Sequence, residues 1–397
     1  MRATGKSWLS RMAEVLVGVC VLSGLANAGT ATGFVVTNDD VAEANPPVST
    51  NSVSFYAIGS NGLLTLQETV RTVGYGIGGG YFGANRLAML NSGGQQCVFA
   101  SDAASGDITG IVVSSFTVGG SAVGSANDTG VSNGIGLATN GQYLYASFTD
   151  SSNIGTFQIQ PNCNLTFIND ASVIGLQGGF IDAMAVQGNL LVVTYGDGSI
   201  ESFNISGVTP VSNGDEQNST NAIGSQGATY PSAVVITQDG HYAIFGDTST
   251  EAVVEVSDVS SGKLTTTVVY QSGFSISSSN ILLSPDETLL YVSDTQGDQV
   301  MAAFFDKNTG MLSPGCASNL LQGYSSAWSY LGGLALATGT GTGGDLYVAE
   351  FGAPASIAMI EVNVAGEKCT MKEAPGSPIA DPNSAGLLSI GNFPPQP

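Results

Sequence analysis

One unit of about 50 residues recurs along this chain, and few folds can accommodate such a repeat. An apolar strand ends in a turn. A second strand follows and stops at an acid, and a turn rich in Ser, Thr, Asn or Gly leads to a third strand. The clearest copy has a first strand at Ile281-Leu282-Leu283, the turn Ser284-Pro285-Asp286, and a second strand Leu289-Leu290-Tyr291-Val292-Ser293-Asp294. Its third strand is expected at Gln299 to Phe305, and Asn308-Thr309-Gly310 turns the chain into a fourth. The acids that close the second strands are Asp39, Asp102, Asp150, Asp197, Asp247, Asp294 and Glu350, separated by 63, 48, 47, 50, 47 and 56 residues. Two-residue alternation, as in Val253-Val254-Glu255-Val256, is common beyond the first 28 residues, and helix-period patterns are absent there.

The two ends complete the pattern. Phe34-Val35-Val36-Thr37-Asn38-Asp39 reads as a second strand with no first strand before it. Ala385-Gly386-Leu387-Leu388-Ser389-Ile390 reads as a first strand with nothing after it, and Asn392 to Pro397 as an irregular Pro-rich tail. Pairing the two orphans makes a seventh unit and removes the open sheet edges. The expected fold is therefore all-β: a seven-bladed β-propeller over 29–397, closed by pairing of the N- and C-terminal strands in one blade.

Residues 1–28 read as a signal peptide. Arg2, Lys6 and Arg11 precede the short apolar run Val15 to Leu25, and Ala26-Asn27-Ala28 supplies a small-x-small cleavage site. Val19 before Cys20 argues against a lipid anchor, and no later segment is long and apolar enough for a transmembrane helix. A secreted, extracellular or periplasmic monomer is expected. In such a compartment Cys97, Cys163, Cys316 and Cys369 suggest two disulfides, with three pairings open. Cys97 and Cys163 fall at turns on one rim of adjacent blades. Cys316 and Cys369 also belong to adjacent blades, at different ends of their outer strands.

Charge narrows the partners. The net charge of -22 reflects missing bases, since only Arg71, Arg86, Lys263, Lys307, Lys368 and Lys372 follow residue 28. Nucleic acid and anionic membrane surfaces are thereby disfavoured. A small molecule, a glycan or a surface protein remains as partner. The single histidine, His241, lies in a turn on the rim opposite the acids, which excludes triads and multi-histidine metal sites.

The best candidate site lies on the acid rim. Arg71 and Arg86 flank the Gly-rich, aromatic connection containing Tyr75 and Tyr81, and a second aromatic connection carries Tyr324 and Trp328. Ring closure brings the blades that bear them close together. Glycines there let backbone approach a ligand, or simply form an excursion capping the channel; Arg86 could instead serve a structural ion pair. Calcium is the one cofactor considered, held by Asp39 and Asp40 or by Asp294 and Asp298. One acid per blade, about two strands from the axis, is too widely spaced for a single ion and suits local turn hydrogen bonding better. Asp182 and Glu201 are further candidate acids in the fourth blade, and spacing alone does not pair them.

The chain resembles the lactonase-like seven-bladed propellers, related to YVTN-repeat proteins. The likeness rests on Ser284-Pro285-Asp286 with Leu290-Tyr291-Val292-Ser293-Asp294, on Asn308-Thr309-Gly310-Met311-Leu312, on Leu346-Tyr347-Val348-Ala349 and on Pro375-Gly376-Ser377-Pro378. The resemblance implies either a lactone-opening hydrolase or a surface propeller without chemistry. Few cations and one misplaced histidine point to a ligand- or partner-binding module; the resemblance points to the hydrolase.

Overall fold

The computed structural model describes residues 33–42, 50–78, 85–123, 135–148, 151–218, 231–247, 253–265, 267–271, 278–294, 299–319, 321, 330–336, 344–351, 355–384 and 389–394. The proposed signal segment, Tyr81, Asp150, Asp298, Tyr324 and Trp328 lie outside them.

Seven antiparallel sheets form the blades. Their innermost strands are, in ring order, Ser389–Phe393, Leu87–Ser92, Ile135–Thr139, Ile181–Gln187, Pro231–Ile236, Ser278–Leu283 and Tyr330–Leu336. Each touches the next, and the last touches the first, so the ring closes around a central channel. Blade one is built from both ends of the chain: Ser389–Phe393 pairs with Phe34–Asn38, followed outward by Ser52–Ile58 and Leu64–Arg71.

The closing strand sits further along the chain than the sequence suggests. Its register sets Thr37 against Ile390 and Phe34 against Phe393, so Asn392 and Phe393 belong to the strand and not to an irregular tail. The reason is packing. Phe393 is buried with Val36, Val53 and Phe55, and only Pro394, which cannot donate to a ladder, ends the pairing.

Alternation explains why second strands are buried on both sides. In Leu289–Asp294, Leu289 and Tyr291 face blade seven, whereas Leu290 and Val292 face blade five. The core therefore divides into seven apolar clusters, one in each interface between consecutive blades, including that between blades seven and one. No blade can bury its faces alone, and closure of the ring supplies the last interface.

Two disulfides join neighbouring blades, Cys97–Cys163 and Cys316–Cys369. The second links the end of Met311–Ala317 to the start of Lys368–Glu373, the different strand ends expected from the sequence. Among the described residues no helix is long and apolar enough to cross a membrane.

Candidate functional site

Strand alternation puts the connections between blades and the acids that close second strands on one rim. On this rim the two candidate arginines do not converge. Arg71 ends the outer strand of blade one, where its Nη1 donates to the Thr50 carbonyl at 2.9 Å on the exposed edge. Arg86, just before the innermost strand of blade two, is 1% exposed and pairs through Nη1 with Asp40 Oδ2 at 2.5 Å. Tyr75 is tied down through its backbone, its N–H donating to Ser105 Oγ and its carbonyl accepting from Ala104.

The glycine-rich connection closes on the protein itself. Asp40 has a left-handed backbone, with φ 52, and its Oδ1 accepts from the Ile77 N–H at 3.1 Å. Gly76 and Gly78 donate to the Val41 and Asp40 carbonyls, and a side chain at Gly76 would run into the Asp40 backbone. Beneath this lies a buried amide network. Asn38 donates to the Ser101 carbonyl at 2.9 Å and accepts from Asn51, which also donates to Asp102 Oδ1 at 2.9 Å.

The ring acids act as clamps on these connections. Asp102 accepts from Thr72, Asn51, Thr109 and the Gly74 N–H; burial raises its pKa to about 6 against those hydrogen bonds. Asp39 accepts from Thr37, Ser52 and Ser54, and burial followed by the charge of Asp381 raises it to about 7. Asp381 is itself raised, chiefly by burial. Asp197 also feels burial, but bonds from Ser199, Gln177 and Gly179 outweigh it and hold the carboxyl below its usual value. Glu350 accepts from Ser356, and burial raises it to about 7. Among the described residues no group of three His, Cys, Asp or Glu side chains is arranged to hold a metal ion.

Asp182 differs from the clamps in that burial is the only influence on its carboxyl; Glu350 shares an unpartnered oxygen, Oε1, but accepts from Ser356 at the other. Asp182 occupies a bulge at the start of the innermost strand of blade four, between the pairs Ile181–Tyr195 and Ala183–Thr194. This strand borders the channel, and the bulge lies at its acid-rim mouth. The residue is 4% exposed, and its Oδ1 has no hydrogen-bond partner. Burial alone raises its pKa to about 7. Glu201 sits two strands further out, accepting from Tyr195 and Ser212, so the two acids do not form a pair across one cleft.

The opposite rim holds His241 in its turn, half-exposed, stacked on Tyr242 and 3.5 Å from Asp258. Beside it a shallow cavity of about 360 Å³ lies between blades four and five, lined by the amides of Gln187, Asn189, Asn204 and Asn213, with Lys263 at its edge.

No family model matches this sequence, and no curated protein matches it. Solved structures share its fold. A candidate 6-phosphogluconolactonase of Bacteroides fragilis is 17% identical, with a TM-score of 0.53 over 72% of this chain and 80% of that one. The periplasmic gluconolactonase of Pseudomonas aeruginosa is 15% identical, with a TM-score of 0.50 over 73% and 81%. A protein of unknown function from Desulfotomaculum acetoxidans is 13% identical, with a TM-score of 0.61 over 90% and 98%. The likeness to lactonase-like seven-bladed propellers read from the sequence thus holds at the level of the fold.

Proposed function

We propose that the chain is a lactone hydrolase whose reaction takes place at the acid-rim mouth of the channel, with Asp182 as general base. The observation that carries this reading is the buried carboxylate of Asp182, unpartnered at Oδ1 and poised near neutrality on a channel-bordering strand. The lactonase-like structural neighbours support it. Asp182 would take a proton from water as the water oxygen bonds to the lactone carbonyl carbon. The ring C–O bond then breaks, the ring oxygen receives the proton, and a hydroxy acid leaves. Neutral lactones suit the site better than phosphorylated ones, because Arg86 is already committed to Asp40.

The test is hydrolysis of simple lactones by the mature protein and by Asp182→Asn. The expected kcat/KM rises with pH through about 7, as Asp182 loses its proton, and falls at least 100-fold in the variant. Wild-type rates in Asp182→Asn would remove Asp182 from the chemistry.

A second reading, a binding propeller without turnover, draws on the amide-lined cavity of the opposite rim. It expects calorimetric binding of a neutral oligosaccharide such as cellotetraose, weakened in Asn189→Ala. A titration without heat at millimolar ligand, together with unchanged thermal stability, would count against it.

A further inference from the structure

The connection from blade three to blade four carries three large apolar side chains into solvent: Ile174 is 56% exposed, Leu176 50% and Phe180 52%. Two residues beyond Phe180 is Asp182. Exposed apolar side chains scattered singly need no explanation, but three within seven residues at the mouth of a candidate site do.

The loop that presents them is built rather than loose. Gly175 and Gly178 close a tight turn, the Gly178 N–H donating to the Gly175 carbonyl at 2.8 Å. The Gly175 N–H donates in turn to the Gly179 carbonyl at 3.0 Å, so Ile174 and Phe180 flank a paired stem with Leu176 near its tip. Asp197 grips this stem from beneath. Its Oδ2 accepts from the Gln177 N–H at 2.7 Å and the Gly179 N–H at 2.9 Å, while Ser199 Oγ accepts from the Leu176 N–H at 3.2 Å. The carboxylate packs so closely that a Cβ at Gly175 would lie 2.5 Å from its Oδ2, and one at Gly179 2.6 Å from its Cγ. Glycine is needed at both positions for the stem to approach. A polar clamp beneath a loop, with its apolar side chains turned outward, is the arrangement a preorganised binding surface requires.

We infer that this loop is a platform for the apolar chain of the substrate, so that the preferred lactones carry an alkyl substituent and are not sugar lactones. The inference rests on the hydrolase reading and names its substrate class. Binding energy from a chain laid on the platform, remote from the reacting carbonyl, raises kcat/KM by holding the ring at Asp182.

The experiment compares δ-valerolactone, δ-decalactone and glucono-1,5-lactone as substrates for the wild type, for the Leu176→Ser/Phe180→Ser double variant and for Asp182→Asn. Covering a methylene on one side only should raise kcat/KM about twofold, so five added carbons raise it roughly thirtyfold from δ-valerolactone to δ-decalactone. In the double variant that ratio falls below about threefold. A flat chain-length series in the wild type, or one that survives the double substitution, overturns the platform and leaves the hydrolase standing. Absence of turnover of all three lactones by the wild type overturns both.

Discussion

Replacing Arg86 with Met should be among the most damaging single changes in this protein, and its signature separates a structural cation from a substrate-binding one. Both members of the Arg86–Asp40 pair are almost completely buried, with side chains 1% and 2% exposed and 2.5 Å between charged atoms. Removing the guanidinium takes from Asp40 its paired cation, and breaking a buried pair by deleting one member costs about 3–5 kcal/mol. With an unfolding entropy near 2.1 cal/mol/K per residue over roughly 370 residues, 4 kcal/mol lowers the thermal midpoint by about 5 °C. Asp40→Asn should cost a similar amount, because it breaks the same pair while keeping an oxygen for the Ile77 N–H. The Arg86→Met/Asp40→Asn double variant removes both charges and should cost less than either single change. Raising salt from 0.05 to 0.5 M should not narrow these differences, because buried pairs are poorly screened. Thermal and urea unfolding of the four proteins decide the matter. Costs that simply add in the double variant, or an Arg86→Met protein as stable as wild type, would refute the reasoning.

The other predictions concern Asp182 and a close contact between blades. A carboxyl whose pKa is raised to about 7 on folding contributes stability that is intact below its unfolded value near 4 and lost as pH rises to about 7. Asp182→Asn, neutral at every pH, should therefore equal the wild type below about pH 4, pull ahead as pH rises, and exceed it by roughly 2–4 kcal/mol at pH 8, as read from urea midpoints; a variant less stable at pH 8 would contradict this. Gly119→Ala should cost about 1–3 kcal/mol, because its Cβ would overlap the Asn162 carbonyl of the turn that packs on blade two. Gly207→Ala, with open space around it, is the matched control and should be neutral in the same melts.

The architecture was legible because it is periodic, whereas the site was not. Alternation in segments such as Leu289-Leu290-Tyr291-Val292 encodes two buried faces, and these become two inter-blade interfaces. The orphan strands predicted closure within one blade, and only the register of the closing strand moved, towards Phe393. Site properties depend on neighbours that the ring brings together. Asp39 is raised partly by Asp381, 342 residues away, a proximity that exists only once blade one is closed. The ion pair of Arg86 likewise joins the first two blades; the sequence suggested such a role but could not name Asp40 as its partner. One signal for the site is local. In Ile181-Asp182-Ala183-Met184-Ala185-Val186 a single acid interrupts an apolar strand, the mark of a charge that burial must perturb. Asp381 carried a weaker mark, in the turn composition of Asp381-Pro382-Asn383.

The acid rim becomes intelligible once its carboxylates are sorted by what they hold. Asp102 fastens the connection entering blade two, Asp197 the one entering blade four, and Asp39 the first turn of blade one. Asp197 more than offsets its desolvation with donated hydrogen bonds, whereas Asp102 and Asp39 recover only part of theirs, their carboxyls still raised to about 6 and about 7, but each fastens a segment in return. Asp182 receives no such return. It is buried, lacks a partner at Oδ1, and is predicted to weaken the fold at neutral pH, where an amide of the same shape would not. A group that costs stability and secures no structure is the kind that function retains against the drift towards a more stable fold. Its place at the acid-rim end of an innermost strand, next to a loop anchored by one of the clamps, is what the hydrolase proposal draws on: the clamps set the rim in place, and that proposal assigns the reaction to Asp182.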